Sequence, residues 1–582
     1  MRAPVLALLA GMFFLLRGGS LRLPEATRLP APPPGTPAQP GASSRHGDGD
    51  SGDADDFLIG IGYTTANLAA TYADLGARQA KCGYYTNWED IEPDPPENGV
   101  HTYYWDGVDA TVSEYQAHGF SEIHLTLQSK SSWGTEGGCD IFQCRPSLPK
   151  PGHWADYEAY VRAVVERYDA DGVDDMPGLR YPVRQYEIET EADDWWPAPC
   201  PEDPDDPDRA STYLQLLEAA QRAAREAYPD VQILPGAMLF YGLFSGEPDE
   251  ATIAARRAAY RTVDCIVTFN EEVLRHPELF DAVEFHFLGD DYREIVATIR
   301  WLRAQMRANG YEKPIYPSDI PTAPALVPTG AYPETFLYPQ EVVKGYLDII
   351  HENIASDTPS QEYLDIRAWY SGEQAEFTVK LLLTAMAEGA AGMQLASMTD
   401  FPWLLLCTPT WWYNYYTIWN WGLHGMVEVD WGPFFGCFPL GYQVRGPRPV
   451  FHTLRWLIAH LPLSPSHLVP LSPDHSPSPS VELYAYRVQA EERAVYVLWS
   501  EDGVGQVMGE IEPSVTVTLP VASSVVTVTH VITQTGQAEP STEVVEVTDG
   551  RVVLKVGETP VFVEETPVWR RLYLPLAAKG SG

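Results

Sequence analysis

Two acidic residues far apart in the chain, Glu191 and Asp319, each stand just past a stretch that reads as a β-strand. Glu191 closes the run Arg184-Gln-Tyr-Glu-Ile-Glu-Thr-Glu191, in which apolar and polar residues alternate after Pro182-Val183. Asp319 closes Lys313-Pro-Ile-Tyr-Pro-Ser-Asp319. A carboxylic acid that protonates a leaving oxygen, facing a carboxylate that attacks or stabilises the reacting carbon, is the pair that glycoside cleavage needs. Other strand ends carry groups able to bond or stack a sugar. These are Thr190 beside Glu191, Gln128 and Trp133 after a third strand, His286 at the end of a sixth, and Trp403 after an eighth. Each also has a plainer reading: Glu191 as a solvated loop acid, Asp319 as a turn cap, His286 as a core histidine, the aromatic residues as core. Glu187 and Glu189 share strand parity with Glu191; their charge would raise its pKa, unless one of them pairs with Lys81 or Arg184.

Such a pair needs a scaffold that brings distant strand ends to one rim. Order is expected from Phe57-Leu-Ile-Gly-Ile-Gly62 onward. Further short apolar strands are expected at Gln79 to Tyr84, Glu122 to Leu127, Gln185 to Glu189, Gln232 to Leu234, Ala282 to Phe287, Pro314 to Ser318 and Gly392 to Ser397. Amphipathic helical runs lie between them, at Trp105 to His118, Trp154 to Tyr168, Ser211 to Ala227, Tyr292 to Asn309 and Glu373 to Glu388. This alternation predicts an α/β fold, a (β/α)8 TIM barrel over residues 57–463, with an open doubly wound sheet as the alternative. No Gly-rich phosphate loop follows any strand, which argues against nucleotide binding. After a Pro/Ser-rich linker at 464–480, short Val- and Thr-rich period-two segments predict a small all-β sandwich over 481–565, then a tail at 566–582.

Composition narrows the partners. The 582 residues include 39 basic and 80 acidic side chains, a net charge of -41, which opposes nucleic acid and anionic membranes and favours a neutral or cationic partner. Seventeen Trp and 32 Tyr suit stacking on sugar rings as well as a large core. Arg2, the apolar run Pro4 to Leu16 and the small residues Gly18, Gly19 and Ser20 read as a signal peptide over 1–20, followed by a disordered Pro/Gly/Asp-rich linker over 21–56. The expectation is export, to the medium or the cell surface, with no membrane span in the mature chain.

Seven cysteines are too sparse for a disulfide framework; Cys139 and Cys144 could pair, with Cys200 a competing partner, or stay as thiols. Asp169, Asp171 and Asp174, around Gly172, resemble a calcium loop but lack the EF-hand spacing and closing Glu, so a solvated loop is preferred. No His/Cys spacing fits zinc. No cofactor is expected.

The motifs add a family likeness. The run LGARQAKCGYYTNWEDIEP…YYWDGVDATVSEYQAHGFSEIHLTLQ resembles the opening of a clan A glycoside hydrolase. YEIETEADDWW is similar to that clan's strand-four E-I-x-N-E-P, FDAVEFHF to its strand six, KPIYPSDIP to its strand-seven K-P-I-x-x-x-E, and RGPRPVFHTLRWLIAHL to its last barrel helix. The likeness spans Phe57 to Leu463 and is nearest to families 39 and 42. It implies a retaining glycosidase acting on an oligosaccharide or glycoside, with Glu191 as acid/base and Asp319 at the nucleophile position. Thr190 replaces the clan's Asn, offering one hydroxyl in place of an amide. Asp319 replaces its Glu, and the lost methylene withdraws the carboxylate, which bears on whether the pair keeps the roughly 5–5.5 Å that retention wants. These departures leave inversion open, and a non-catalytic, surface-attached sugar-binding barrel as the rival. A calcium-dependent structural protein is a weaker one.

Overall fold

Eight parallel strands close into a ring: β1 (Leu58–Thr64), β2 (Gln79–Cys82), β3 (Glu122–Gln128), β4 (Gln185–Ile188), β5 (Gln232–Pro235), β6 (Val283–His286), β7 (Ile315–Ser318) and β8 (Gly392–Ala396). The computed structural model describes residues 57–565, apart from 83–85, 138–146, 196–207, 327–335, 401–422, 436–437, 440–441, 491–492 and isolated positions. Pairing runs unbroken from β8 through β1, β2, β3 and β4 to β5. β6 pairs with β7. A parallel bridge from Met238 to Phe285 joins β5 to β6, and the amide of Ala391 donates to the Ile315 carbonyl at 3.0 Å, joining β7 to β8. Every strand neighbours its successor in sequence. A doubly wound sheet would reverse that order midway, so the fold is a (β/α)8 barrel.

The helices follow their strands in turn: α1 (Ala69–Leu75), α2 (Asp106–Ala117), α3 (Trp154–Arg167), α4 (Asp208–Ala227), α5 (Arg261–Val273), α6 (Arg293–Ala308), α7 (Gln361–Ala387) and α8 (Pro449–His460). α8 shows why such segments fold as they do. Proline at its first position supplies the helical φ, and Val450, Phe451, Leu454 and Leu457 recur at helical spacing to bury one stripe. α7 is 27 residues long, well beyond the expected Glu373 to Glu388, and buried almost throughout from Tyr370 to Met386. It is covered on both sides, by the barrel and by the domain that follows.

That domain is a sandwich of two antiparallel sheets. Six strands pair in the order β9 (Leu468–Pro470), β11 (Glu482–Ala490), β12 (Arg493–Glu501), β17 (Val561–Glu565), β14 (Val525–His530), β15 (Thr542–Glu546). Three more pair as β10 (Asp474–His475), β13 (Val515–Pro520), β16 (Arg551–Val556). Alternation along β12 divides its side chains between two cores. Ala494, Tyr496 and Leu498 enter the sandwich core, whereas Val495, Val497 and Trp499 join the barrel's. Each such fully buried aliphatic side chain contributes about 1.5–3 kcal/mol, so the two domains share one apolar seam. The stretch expected as a linker, 464–480, contributes β9 and β10, two short edge strands in which Pro470 is tolerated. Among the described residues no helix is long and apolar enough to cross a membrane. The segments 1–56 and 566–582 lie outside the described residues.

Candidate active site at the barrel mouth

Strand geometry stops at Ile188. Glu189 (φ 62°) and Glu191 (φ 48°) both adopt left-handed backbone, and so does Asp319 (φ 48°), between β7 and the short strand Ile320–Pro321. Such backbone at a non-glycine residue costs on the order of 1–3 kcal/mol and persists only where the surroundings hold it. Around Glu191, Tyr213 donates its hydroxyl to the Ile188 carbonyl (2.9 Å). Asp193 accepts from the Leu239 amide (2.6 Å) and the Asn270 amide group (2.7 Å), and Tyr241 donates to Asp194 (2.8 Å). Around Asp319, a Cβ on Gly62 would lie 3.1 Å from Oδ1, so glycine there leaves the space that the carboxylate uses.

The two turns deliver their carboxylates to one histidine. His286, at the end of β6, makes a 2.8 Å hydrogen bond from Nδ1 to Glu191 Oε1, and its Nε2 lies 3.3 Å from Asp319 Oδ2. Three residues singled out by sequence therefore converge, with an imidazole between the two acids. Burial alone would depress the charge of His286. The Asp319 carboxylate and the hydrogen bond to Glu191 outweigh it and lift the pKa to about 9, so the ring is an imidazolium at neutral pH. Burial pushes Asp319 up to about 6, against the opposing pull of His286 and Lys81.

The expected parity of the three glutamates is broken by the same turns. Glu187 points into the barrel, where Oε2 lies 3.2 Å from Lys81 Nζ and accepts from Thr126 (2.6 Å). Glu189 accepts the Ser129 amide at 2.6 Å, and burial raises its pKa to about 7. Beneath the mouth, Lys81 also pairs with Glu284, which accepts from Ser318 and lies 3.5 Å from His124. Burial, with Lys81 second, lowers His124 to about 3 and keeps it neutral. His124, Glu187 and Glu284 are close enough to hold a metal ion, but the Lys81 ammonium already pairs with both carboxylates, and a second cation would meet it. Of this charged layer, only the pairing of Lys81 with one of the glutamates was anticipated. Its signal is polar residues at alternate positions on inward-facing strands: Gln79 and Lys81, His124 and Thr126, Gln185 and Glu187, Glu284 and His286.

The remaining candidates divide. Thr190 Oγ1 and Gln128 Oε1 are buried without a hydrogen-bond partner among the described residues, as groups awaiting a polar ligand or water would be. Trp133 donates its indole N–H to the Glu92 carbonyl (2.9 Å) and packs edge-on against Trp88, a placement in the aromatic cluster beside α3. Trp403 lies outside the described residues. Asp400, after β8, forms a buried bidentate pair with Arg448 at the head of α8. In the acidic loop, Asp169 and Asp171 accept the loop's own amides from Asp171 and Val173, and Asp175 accepts those of Ala170 and Gly172. The carboxylates, Asp174 apart, thus build the turn. Cys82 is a buried thiol raised to about 12 by burial, and Cys265 is disulfide-bonded; Cys139, Cys144 and Cys200 lie outside the described residues.

No family model matches the chain, and no curated protein does. Among solved structures, the chain is similar to a glucosidase from Croceicoccus marinus (10% identity, covering 88% of this chain and 96% of that one, TM-score 0.45). It is also similar to a conserved exported protein from Bacteroides fragilis (11%, 88% and 97%, TM-score 0.47) and to the catalytic domain of the GH30 xylanase C from Talaromyces cellulolyticus (13%, 88% and 97%, TM-score 0.45). At these scores the likenesses carry no weight on activity, and the barrel stands on its own strand pairing.

Proposed function

We propose that this protein is an exported glycoside hydrolase acting on a neutral glycan, with Glu191 as general acid and Asp319 as nucleophile or base. The observation that carries the reading is the convergence of both acids, each on left-handed backbone, upon His286. Glu191 rests as the carboxylate paired to the His286 imidazolium, takes the Nδ1 proton and passes it to the leaving oxygen, while Asp319 works on the opposite face of the sugar. The transfer runs along the 2.8 Å Nδ1–Oε1 hydrogen bond and leaves His286 neutral until it is reprotonated. Thr190 and Gln128 offer unpaired oxygens to sugar hydroxyls. If Asp319 attacks the anomeric carbon directly, configuration is retained, as the family likeness implies. The imidazole between the acids favours the wider spacing in which Asp319 activates a water and configuration inverts. The anomer of the first-formed product decides between them.

A second reading, a sugar-binding barrel without catalysis, is favoured by the same ring, because an imidazolium paired to both acids is a stable resting arrangement. The test is hydrolysis of a panel of aryl glycosides by the native chain beside Glu191→Ala and Asp319→Ala. The enzyme reading expects cleavage of at least one substrate and losses of at least about a hundredfold in both variants. Oligosaccharide binding with no cleavage would replace it with the binder.

A further inference from the structure

Beside Glu189, Glu191 and Asp319, a fourth residue at the mouth adopts left-handed backbone: Tyr241, in the loop after β5, with φ 46°. Glycine takes such backbone freely, whereas a bulky ring there is an outlier that its surroundings must hold. The Tyr241 hydroxyl donates to Asp194 Oδ2 at 2.8 Å, and the Asp194 amide donates to the Glu191 carbonyl at 3.1 Å. The phenol is thus tied to the turn that carries the acid. The ring packs beside Leu239 and Ile266 and lines a cavity of about 20 Å³ whose other walls include His286, Phe287 and Glu294. Tyr241 is nonetheless only half-buried, and among the described residues no other aromatic ring stacks on it. Burial, with the charges of Asp194 and Glu191 next, holds the phenol well above its ordinary pKa, so it stays neutral.

We infer that Tyr241 is the residue that reads the leaving group, and that the leaving group is itself a sugar ring, so that the substrate is a di- or oligosaccharide. This rests on the reading of Glu191 as the general acid. The acid protonates the leaving oxygen, so a ring fastened to the Glu191 turn lies on the leaving-group side of the scissile bond. The hydroxyl is already engaged by Asp194, so what Tyr241 offers a ligand is the face of its ring rather than its polar tip. Such a face suits the flat, C–H-bearing side of a pyranose, which an aromatic ring covers with a large apolar area. A leaving group as small as methanol has no face to cover and gains nothing from it. The strained backbone holds that face beside the acid, which a glycine at this position would not do.

The experiment takes the sugar that the native chain cleaves and compares its methyl glycoside with the disaccharide of the same linkage, for the native chain, Tyr241→Ala, Tyr241→Leu and Tyr241→Phe. Both leaving groups need a proton, so a role confined to holding Glu191 would weaken both substrates alike. The inference expects kcat/KM of Tyr241→Ala to fall at least about tenfold on the disaccharide and to stay within about threefold on the methyl glycoside. Tyr241→Leu keeps apolar bulk without a flat face and should show the same split, which covers an alanine variant that fails to fold; a far-UV spectrum checks both. Tyr241→Phe keeps the ring without the bond to Asp194 and should stay within about threefold on both substrates. Equal losses on the two substrates, an undiminished rate on the disaccharide in the alanine and leucine variants, or a Tyr241→Phe that falls as far as they do overturns the inference alone. A native chain that cleaves no glycoside overturns the reading of Glu191 and this inference with it.

Discussion

The barrel mouth and the barrel–sandwich joint both bury several carboxylates, and they balance the charge differently. At the mouth and just beneath it, Glu191, Asp319, Glu187 and Glu284 meet two cations, His286 and Lys81, and two of the acids sit on left-handed backbone. At the joint, Glu373, Glu376, Glu501 and Glu558 meet only Lys380, and none of them has a positive φ. Strained backbone, with two cations set among the acids, marks a place where groups are aimed at something. Relaxed backbone with four buried acids around one ammonium marks a place where burial holds protons on the acids.

The largest effect that separates the two regions should come from Lys81→Met. It removes the ammonium from two fully buried acids and should cost about 3–5 kcal/mol by chemical denaturation. A loss below about 1 kcal/mol would mean that the layer beneath the mouth is not balanced as described. Next, kcat/KM of the native protein should follow a bell limited by Asp319 near 6 and His286 near 9, and His286→Asn should lose the alkaline limb. An alkaline limb that survives the substitution would remove His286 from the proton path. The smallest effect belongs to the joint. The folded-state pKa of Glu376 is raised, so its protonated form favours folding below the ordinary carboxylate range, and that stability is lost as pH rises through about 7. Glu376→Gln should therefore add about 1–2 kcal/mol at pH 8.5 and nothing near pH 4, with hydrolysis unchanged. A pH-independent change would contradict the charge account of the joint.

The same contrast explains what could be read from the chain. β4 was expected at Gln185 to Glu189 and lies at Gln185–Ile188; β6 was expected at Ala282 to Phe287 and lies at Val283–His286. Short apolar bursts bounded by polar, Gly or Pro residues are strong signals, and barrel strand ends are where function collects. Hence Glu191, His286 and Asp319 could be picked out before their distances were known. The turn that parts Glu187, Glu189 and Glu191 was not legible, because period-two parity says nothing of a non-glycine residue in left-handed backbone. Nor was the first half of α7, where Gln361 to Trp369 mixes charged residues with Tyr363, Ile366 and Trp369, which pack against the helix Gln340–Asn353 rather than against the barrel. The joint was invisible for a different reason. Its acids come from α7, β12 and the approach to β17, and only the folded sandwich brings them together.

The division of roles at the mouth is tested most directly by varying the leaving group. A glycoside with an activated dinitrophenol needs no proton to depart, whereas an alkyl glycoside does. Hydrolysis of both should be measured for the native chain, Glu191→Ala and Asp319→Ala. The account predicts that Glu191→Ala stays within about tenfold of native on the dinitrophenyl substrate and falls at least about a hundredfold on the alkyl one, while Asp319→Ala falls on both. Equal losses of Glu191→Ala on the two substrates, or an Asp319→Ala that keeps native rates, would contradict it.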